Sequence, residues 1–183
     1  ISAAIRAAAT EGRPAVVGFM TGGFPDRAGF RDNLMAIGGT ADVVEIGVPF
    51  TDPMADGMTI QRASYAALQG GFTLPWLLEE LEKMRPRPRA PLLLMSYLNP
   101  LLAYGLDRLP EAAARAGVAG FIIPDLPYEE SADMRAAIPA DIARPLVAFE
   151  ALDSFAAIIA YLACLRAGWP VLLPTSHLAA LRA

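Results

Sequence analysis

The sequence is short of the residues that mark several common functional classes. Across 183 residues it has one cysteine, Cys164, and one histidine, His177. A single cysteine excludes an internal disulfide, and a single histidine excludes a multi-histidine metal site. Basic charge is scarce as well: 15 Lys and Arg against 19 Asp and Glu leave a net charge of −4, with no basic run or stripe. Nucleic-acid binding therefore has no electrostatic footprint. No uncharged apolar run is long enough to span a bilayer, and the longest, Phe155 to Leu165, falls well short. The Ala-rich start, with Arg6 and then Glu11, suits an amphipathic helix better than a signal peptide. The lone thiol and the lack of a targeting segment lead us to expect a cytoplasmic protein. Gly-x-Gly-x-x-Gly, a Walker-type lysine loop and Gly-x-Ser-x-Gly are all missing.

Apolar material, by contrast, is plentiful. At 55% hydrophobic and 19% charged, the chain is no disordered tail and can bury a sizeable core. Short apolar runs alternate with helical stretches. Strands are predicted at 14–20, 42–47, 91–96 and 119–123. Helices are predicted at 26–38, with Asp26 as its N-cap, and at 58–69, 74–85, 106–116 and 128–137. The proline- and arginine-rich stretch Arg85–Pro91 reads as a surface loop. Residues 145–149 and 170–174 read as a fifth and a sixth strand around a helix at 153–167. Such alternation implies βαβ units, right-handed crossovers and a parallel sheet. The strands are nearly continuous apolar runs, as in a sheet buried on both faces. A closed (β/α) barrel and an open doubly wound sheet both fit.

The sharpest chemical feature is Glu45, a carboxylate near the C-terminal end of the apolar strand Val43-Val44-Glu45-Ile46. Alternation puts Val43 and Glu45 on one face and Val44 and Ile46 on the other. A carboxylate there is costly unless it pairs with a Lys or Arg or has chemical work to do. Burial raises a carboxyl pKa, which suits a group that both gives and takes a proton. The loop that follows, Gly47 to Gly57, carries Pro49 and Pro53, which fix φ, and Asp52 and Asp56. Asp52-Pro53 and Asp56-Gly57 read equally as ordinary turns. Cys164 falls on an apolar helix and reads as core, and His177 as a surface residue.

The string Asp42-Val43-Val44-Glu45-Ile46-Gly47-Val48-Pro49-Phe50-Thr51-Asp52-Pro53-Met54-Ala55-Asp56-Gly57, with Ile60-Gln61, resembles the signature of the tryptophan synthase α subunit family. Val17 to Asp26 resembles that family's first strand and loop. Met95-Ser96-Tyr97-Leu98-Asn99-Pro100, with Tyr104-Gly105, resembles its third-strand region. Pro124-Asp125-Leu126-Pro127, with Glu129-Glu130-Ser131, resembles its fourth-strand loop. The matches are ordered over about residues 1–140. The resemblance implies a TIM barrel and a lyase that splits indole-3-glycerol phosphate into indole and glyceraldehyde 3-phosphate. Indole then passes to a β subunit bearing pyridoxal phosphate, and no cofactor is expected on this chain. By position, Glu45 matches the acid/base that protonates indole C3, and Asp56 the carboxylate that holds the indole N–H. Phe19 would line the indole pocket, with Thr21 and Tyr97 close by. Pro49, Asp52 and Pro53 would face the β subunit.

The resemblance fades after about residue 140. In a TIM barrel the phosphate site usually comes from the loops after strands 7 and 8. About six strands can be counted here, and Gly168 is the only glycine after Gly120. The expectation is therefore an incomplete barrel, in which residues 1–142 form the family-like part and 143–183 a divergent α/β tail. Residues 146–173 faintly resemble an early segment of adenylate-forming acyl ligases, and read as well as an unrelated helix and strand. Two alternatives to a working lyase follow: a catalytically dead module that docks a β subunit, and a partial chain that self-associates through unpaired strand edges.

Overall fold

The computed structural model describes residues 1–127 and 130–131, together with two short strand segments at 147–148 and 171–172. The predicted helices at 128–137 and 153–167, and Cys164 and His177, lie outside the described residues except for Glu130 and Ser131. The chain opens with helix α1 (Ser2–Thr10), followed by strand β1 (Val17–Thr21), helix α2 (Phe30–Thr40) and strand β2 (Val43–Gly47). Helices α3 (Met58–Gln69) and α4 (Leu74–Lys83) lead to strand β3 (Leu92–Met95). Helices α5 (Leu98–Tyr104) and α6 (Leu109–Ala116) lead to strand β4 (Val118–Ile122). The first four strands form one parallel sheet in the order β1-β2-β3-β4. Sequential parallel strands joined by helices are the arrangement of consecutive βα units in a TIM barrel, and the open doubly wound alternative is set aside.

Six strands are present among the described residues, though not in one sheet. Strands β5 (Val147–Ala148) and β6 (Val171–Leu172) pair parallel with each other in a separate two-stranded sheet. Asp26 does not cap a helix starting at residue 26. Its carboxylate accepts the Gly29 N–H at 2.8 Å, closing a turn, and α2 starts one residue later with Gly29 as its N-cap. The predicted helix at 106–116 begins at Leu109, and a separate helix, α5, precedes it.

Two hydrophobic cores follow from the period-2 pattern. On the outer face Met20, Val44, Ile46, Leu92, Leu94 and Val118 pack beneath Phe30, Leu34, Leu77, Leu81, Leu109 and Ala113 of the helices. On the inner face Val43, Leu93 and Ile122 pack with Ile1, Ala4 and Ile5 of α1. The spacing of Ile1, Ala4 and Ile5 lays one helix stripe across the inside of the sheet. Arg13 ties the end of this segment to the start of β2. Its guanidinium donates to both Asp42 oxygens, at 2.6 and 2.8 Å, and Asp42 also accepts the Val16 N–H at 2.8 Å. Helix α4 begins at Thr73, whose hydroxyl accepts the Trp76 N–H. Helix α6 ends at Gly117, whose φ of 77° is readily adopted only by glycine. The Arg85–Pro91 loop lies at the surface, with Arg87 donating to the Arg115 carbonyl. No described helix is long and apolar enough to cross a membrane.

Candidate active site

The candidate residues lie on β1 and β2 and on the loops that follow β2 and β3, at the C-terminal end of the sheet. Parallel register aligns Phe19 of β1 with Glu45 of β2, Leu93 of β3 and Gly120 of β4. The next inward-facing row is Thr21, Gly47, Met95 and Ile122. The Phe19 ring reaches up from its row and lies over Gly47, where an added methyl group would stand 2.7 Å from the ring. Glycine at 47 is thus what lets an aromatic side chain cover the strand end. Thr21 is buried, and Phe19 is 37% exposed.

Glu45 is 7% exposed. Its carboxyl makes no ion pair or hydrogen bond among the described residues, so the reading in which a neighbouring Lys or Arg neutralises it gains no support. Burial without a partner pushes its pKa up to about 7. At neutral pH such a group is divided between acid and base, the condition for moving a proton in both directions.

Asp56 lies in the β2–α3 loop, half-buried. Burial raises its pKa, and the Tyr97 hydroxyl works against that rise. Its backbone carbonyl accepts from the Gln61 side chain at 2.8 Å, which fixes the loop against the first turn of α3. Tyr97 follows β3 and is almost fully buried. Its hydroxyl accepts the Ala55 N–H at 2.8 Å, and its ring packs on Phe50 at 5.6 Å between centroids. The structure thus joins Tyr97 to the Asp56 loop and sets Phe19 beside Glu45. Within the same loop Pro49 is buried, Pro53 half-buried and Asp52 exposed beside Thr51.

Three contributors stand in the quoted motifs but were given no role there. Phe50 stacks on Tyr97, and the Gln61 side chain braces Asp56. Asp125, after β4, accepts the Leu98 N–H at 2.9 Å and so caps α5 from a distant loop. The only sequence signals for α5 were Pro100 in its first turn and Gly105 just past its end. Among the described residues no group of three or more His, Cys, Asp and Glu could hold a metal ion.

A family model described as tryptophan synthase alpha chain matches residues 5–157. The tryptophan synthase alpha chain of Nitratidesulfovibrio vulgaris is 50% identical over 137 residues, which cover 74% of this chain and 53% of that one. Among solved structures, tryptophan synthase of Mycobacterium tuberculosis superposes with a TM-score of 0.71 at 32% identity, over 80% of this chain and 56% of that one. The tryptophan synthase a2b2 complex of Pyrococcus furiosus gives 0.66 at 31% identity, over 75% and 55%. The chain spans about half the length of the curated relatives it matches.

Proposed function

From the premise that the chain belongs to the tryptophan synthase alpha chain family, we propose that it carries the acid/base chemistry of a lyase that splits indole-3-glycerol phosphate into indole and glyceraldehyde 3-phosphate. One observation carries the reading: a buried Glu45, without a partner among the described residues and with a pKa of about 7, at the C-terminal end of a barrel strand. Glu45 in its acid form protonates indole C3. The positive charge that develops on the indole ring reaches its N–H, where the Asp56 carboxylate stabilises it. The Glu45 carboxylate left by that step takes up the proton of the glyceryl hydroxyl next to the ring, which breaks the C–C bond, leaves the aldehyde on one product and restores the aromatic ring of the other. Phe19 and Thr21 flank the indole. The expected setting is the cytoplasm, with no cofactor on this chain.

Incubating the chain with indole-3-glycerol phosphate, alone and with a β subunit, tests this reading. Indole release that disappears in Glu45→Gln supports it. No release in either arm overturns the activity.

A second reading is favoured by the exposed side of the β2–α3 loop, where Met54 is 81% exposed beside Asp52 and Pro53. In it the chain docks a β subunit through this loop without turning over. Co-elution with a β subunit in the absence of indole release would support it, and no complex would sink it. A chain that pairs with itself through the exposed Val16 and Val17 edge would instead run as a dimer on its own. We read residues 1–142 as the family part and 143–183 as a divergent tail, on the change of texture and the loss of glycine, while the match to the family model runs on to residue 157. The faint likeness of the tail to an acyl ligase brings no catalytic motif, and we assign it no activity.

A further inference from the structure

Tyr97 stands where three loops meet. Its hydroxyl holds the Ala55 N–H, one residue before Asp56, and its ring holds Phe50 in the same loop. Its backbone is the N-cap position of α5, and the next N–H, that of Leu98, is bound by the Asp125 carboxylate from the loop after β4. Ser96 donates to the Tyr97 carbonyl at 2.9 Å and receives no exposure to solvent. A tyrosine buried this deeply must satisfy its hydroxyl within the protein, and the partner it takes is the loop that carries Asp56. On the other side the Gln61 side-chain amide holds the Asp56 carbonyl, and the Gln61 N–H holds that of Gly57 at 3.0 Å.

We propose that Tyr97 is a positioning residue, which fixes the Asp56 carboxylate toward the N–H of an indole ring by pinning Ala55 and Phe50, and is itself fixed by Asp125 through the start of α5. The proposal rests on the reading of Asp56 as the indole anchor and gives Tyr97 a different role from lining the pocket. An anchor on a ten-residue loop holds its geometry only if the loop is tied close to the anchor, and a misplacement of about 1 Å is enough to weaken a directional bond. The hydroxyl accepts from Ala55 and keeps its own proton to donate toward Asp56. Charged groups face it from both neighbouring loops, Asp56 from one and Asp125 from the other, and burial followed by these carboxylates raises its pKa.

Tyr97→Phe keeps the ring and the Phe50 contact and removes only the hydroxyl. The experiment follows the Asp56 carboxyl by carbon NMR across pH and measures the affinity for indole, in wild type, Tyr97→Phe, Asp125→Ala, Asp125→Asn and Asp56→Asn. In Tyr97→Phe the Asp56 titration moves to higher pH, indole binds about tenfold more weakly, and the Glu45 titration stays in place. Asp125→Ala moves both readouts in the same direction, and Asp125→Asn, which keeps an oxygen for Leu98, restores them. An unchanged Asp56 titration in Tyr97→Phe overturns the proposal whatever indole does, since that measurement needs no ligand. Unchanged indole affinity in Asp56→Asn overturns the parent reading instead.

Discussion

Phe19 and Glu45 are register partners across the parallel β1–β2 pair, side by side on the inner face of the sheet. An aromatic wall next to a carboxyl lowers the local polarity and favours the neutral acid. Lysine, arginine or a backbone donor in the Phe19 position would do the opposite. The row continues through Leu93 to Gly120, where a side chain would stand 3.1 Å from Leu93 and 3.7 Å from Ile1. Every described neighbour in this row is apolar, so burial raises the Glu45 pKa and no described opposite charge counters it.

That environment makes stability depend on pH with a definite sign. The folded state keeps a proton on Glu45 from the ordinary value of 4.5 up to about 7, while the unfolded chain has already released it. Stability therefore falls as pH rises through this window, by an amount on the order of 3 kcal/mol. Glu45→Gln removes this slope, so the variant is expected to be more stable than wild type at pH 8 and little different at pH 4. Urea unfolding at the two pH values checks it. Parallel curves for the two proteins would show that the carboxyl is solvated or paired.

Asp56→Asn keeps the size of the side chain and removes its charge. If Asp56 holds an indole N–H, loss of a charge-assisted bond weakens indole binding by about 10- to 100-fold. Stability should move little, because the side chain is only half-buried and its loop is held through backbone groups at Ala55 and Asp56. Calorimetric titration with indole, alongside thermal unfolding, separates the two effects. A large drop in melting temperature with unchanged affinity would make Asp56 a structural residue.

Gly47→Ala tests the Phe19 ring. The new methyl group would stand 2.7 and 2.9 Å from two ring carbons, so the ring must swing away. Phe19 is 37% exposed and has room to move, which keeps the stability cost to about 1 kcal/mol. Indole affinity should suffer more than stability, since the wall beside Glu45 is displaced. Equal binding by Gly47→Ala and wild type would remove Phe19 from the pocket.

The parts of this site that a strand can express were legible in one dimension. Alternation sorted Val43 and Glu45 from Val44 and Ile46, and the two cores divide the sheet as that alternation requires. The loop contacts were not legible, because they join residues far apart in the chain. Tyr97 reaches Ala55 across 42 positions, and Asp125 reaches Leu98 across 27. Helix α5 escaped notice for the same reason. Its cap is borrowed from Asp125, so no Ser, Thr, Asp or Asn stands at its own start, where Tyr97 sits instead. Asp26 shows the converse error: an acidic residue before a helical pattern closed a turn instead of capping the helix.

Asp42 supplies a pH dependence of the opposite sign to that of Glu45. Hydrogen bonds from the Arg13 guanidinium, and then from the Val16 N–H, hold its carboxyl well below the usual carboxylate range. The unfolded chain takes up a proton there near pH 4, before the folded state does, so this stabilisation is present above about pH 4 and is lost as pH falls further. Asp42→Asn should therefore unfold more easily than wild type at pH 6, and the two should converge in acid. The effect should also reach the inner core, because Arg13 and Asp42 tie the segment after α1 to the strand that carries Glu45. Hydrogen exchange should quicken in α1 while α4, which packs on the outer face, keeps its protection. Uniform loss of protection in both helices would mean that the ion pair supports the whole fold and has no special hold on the inner face.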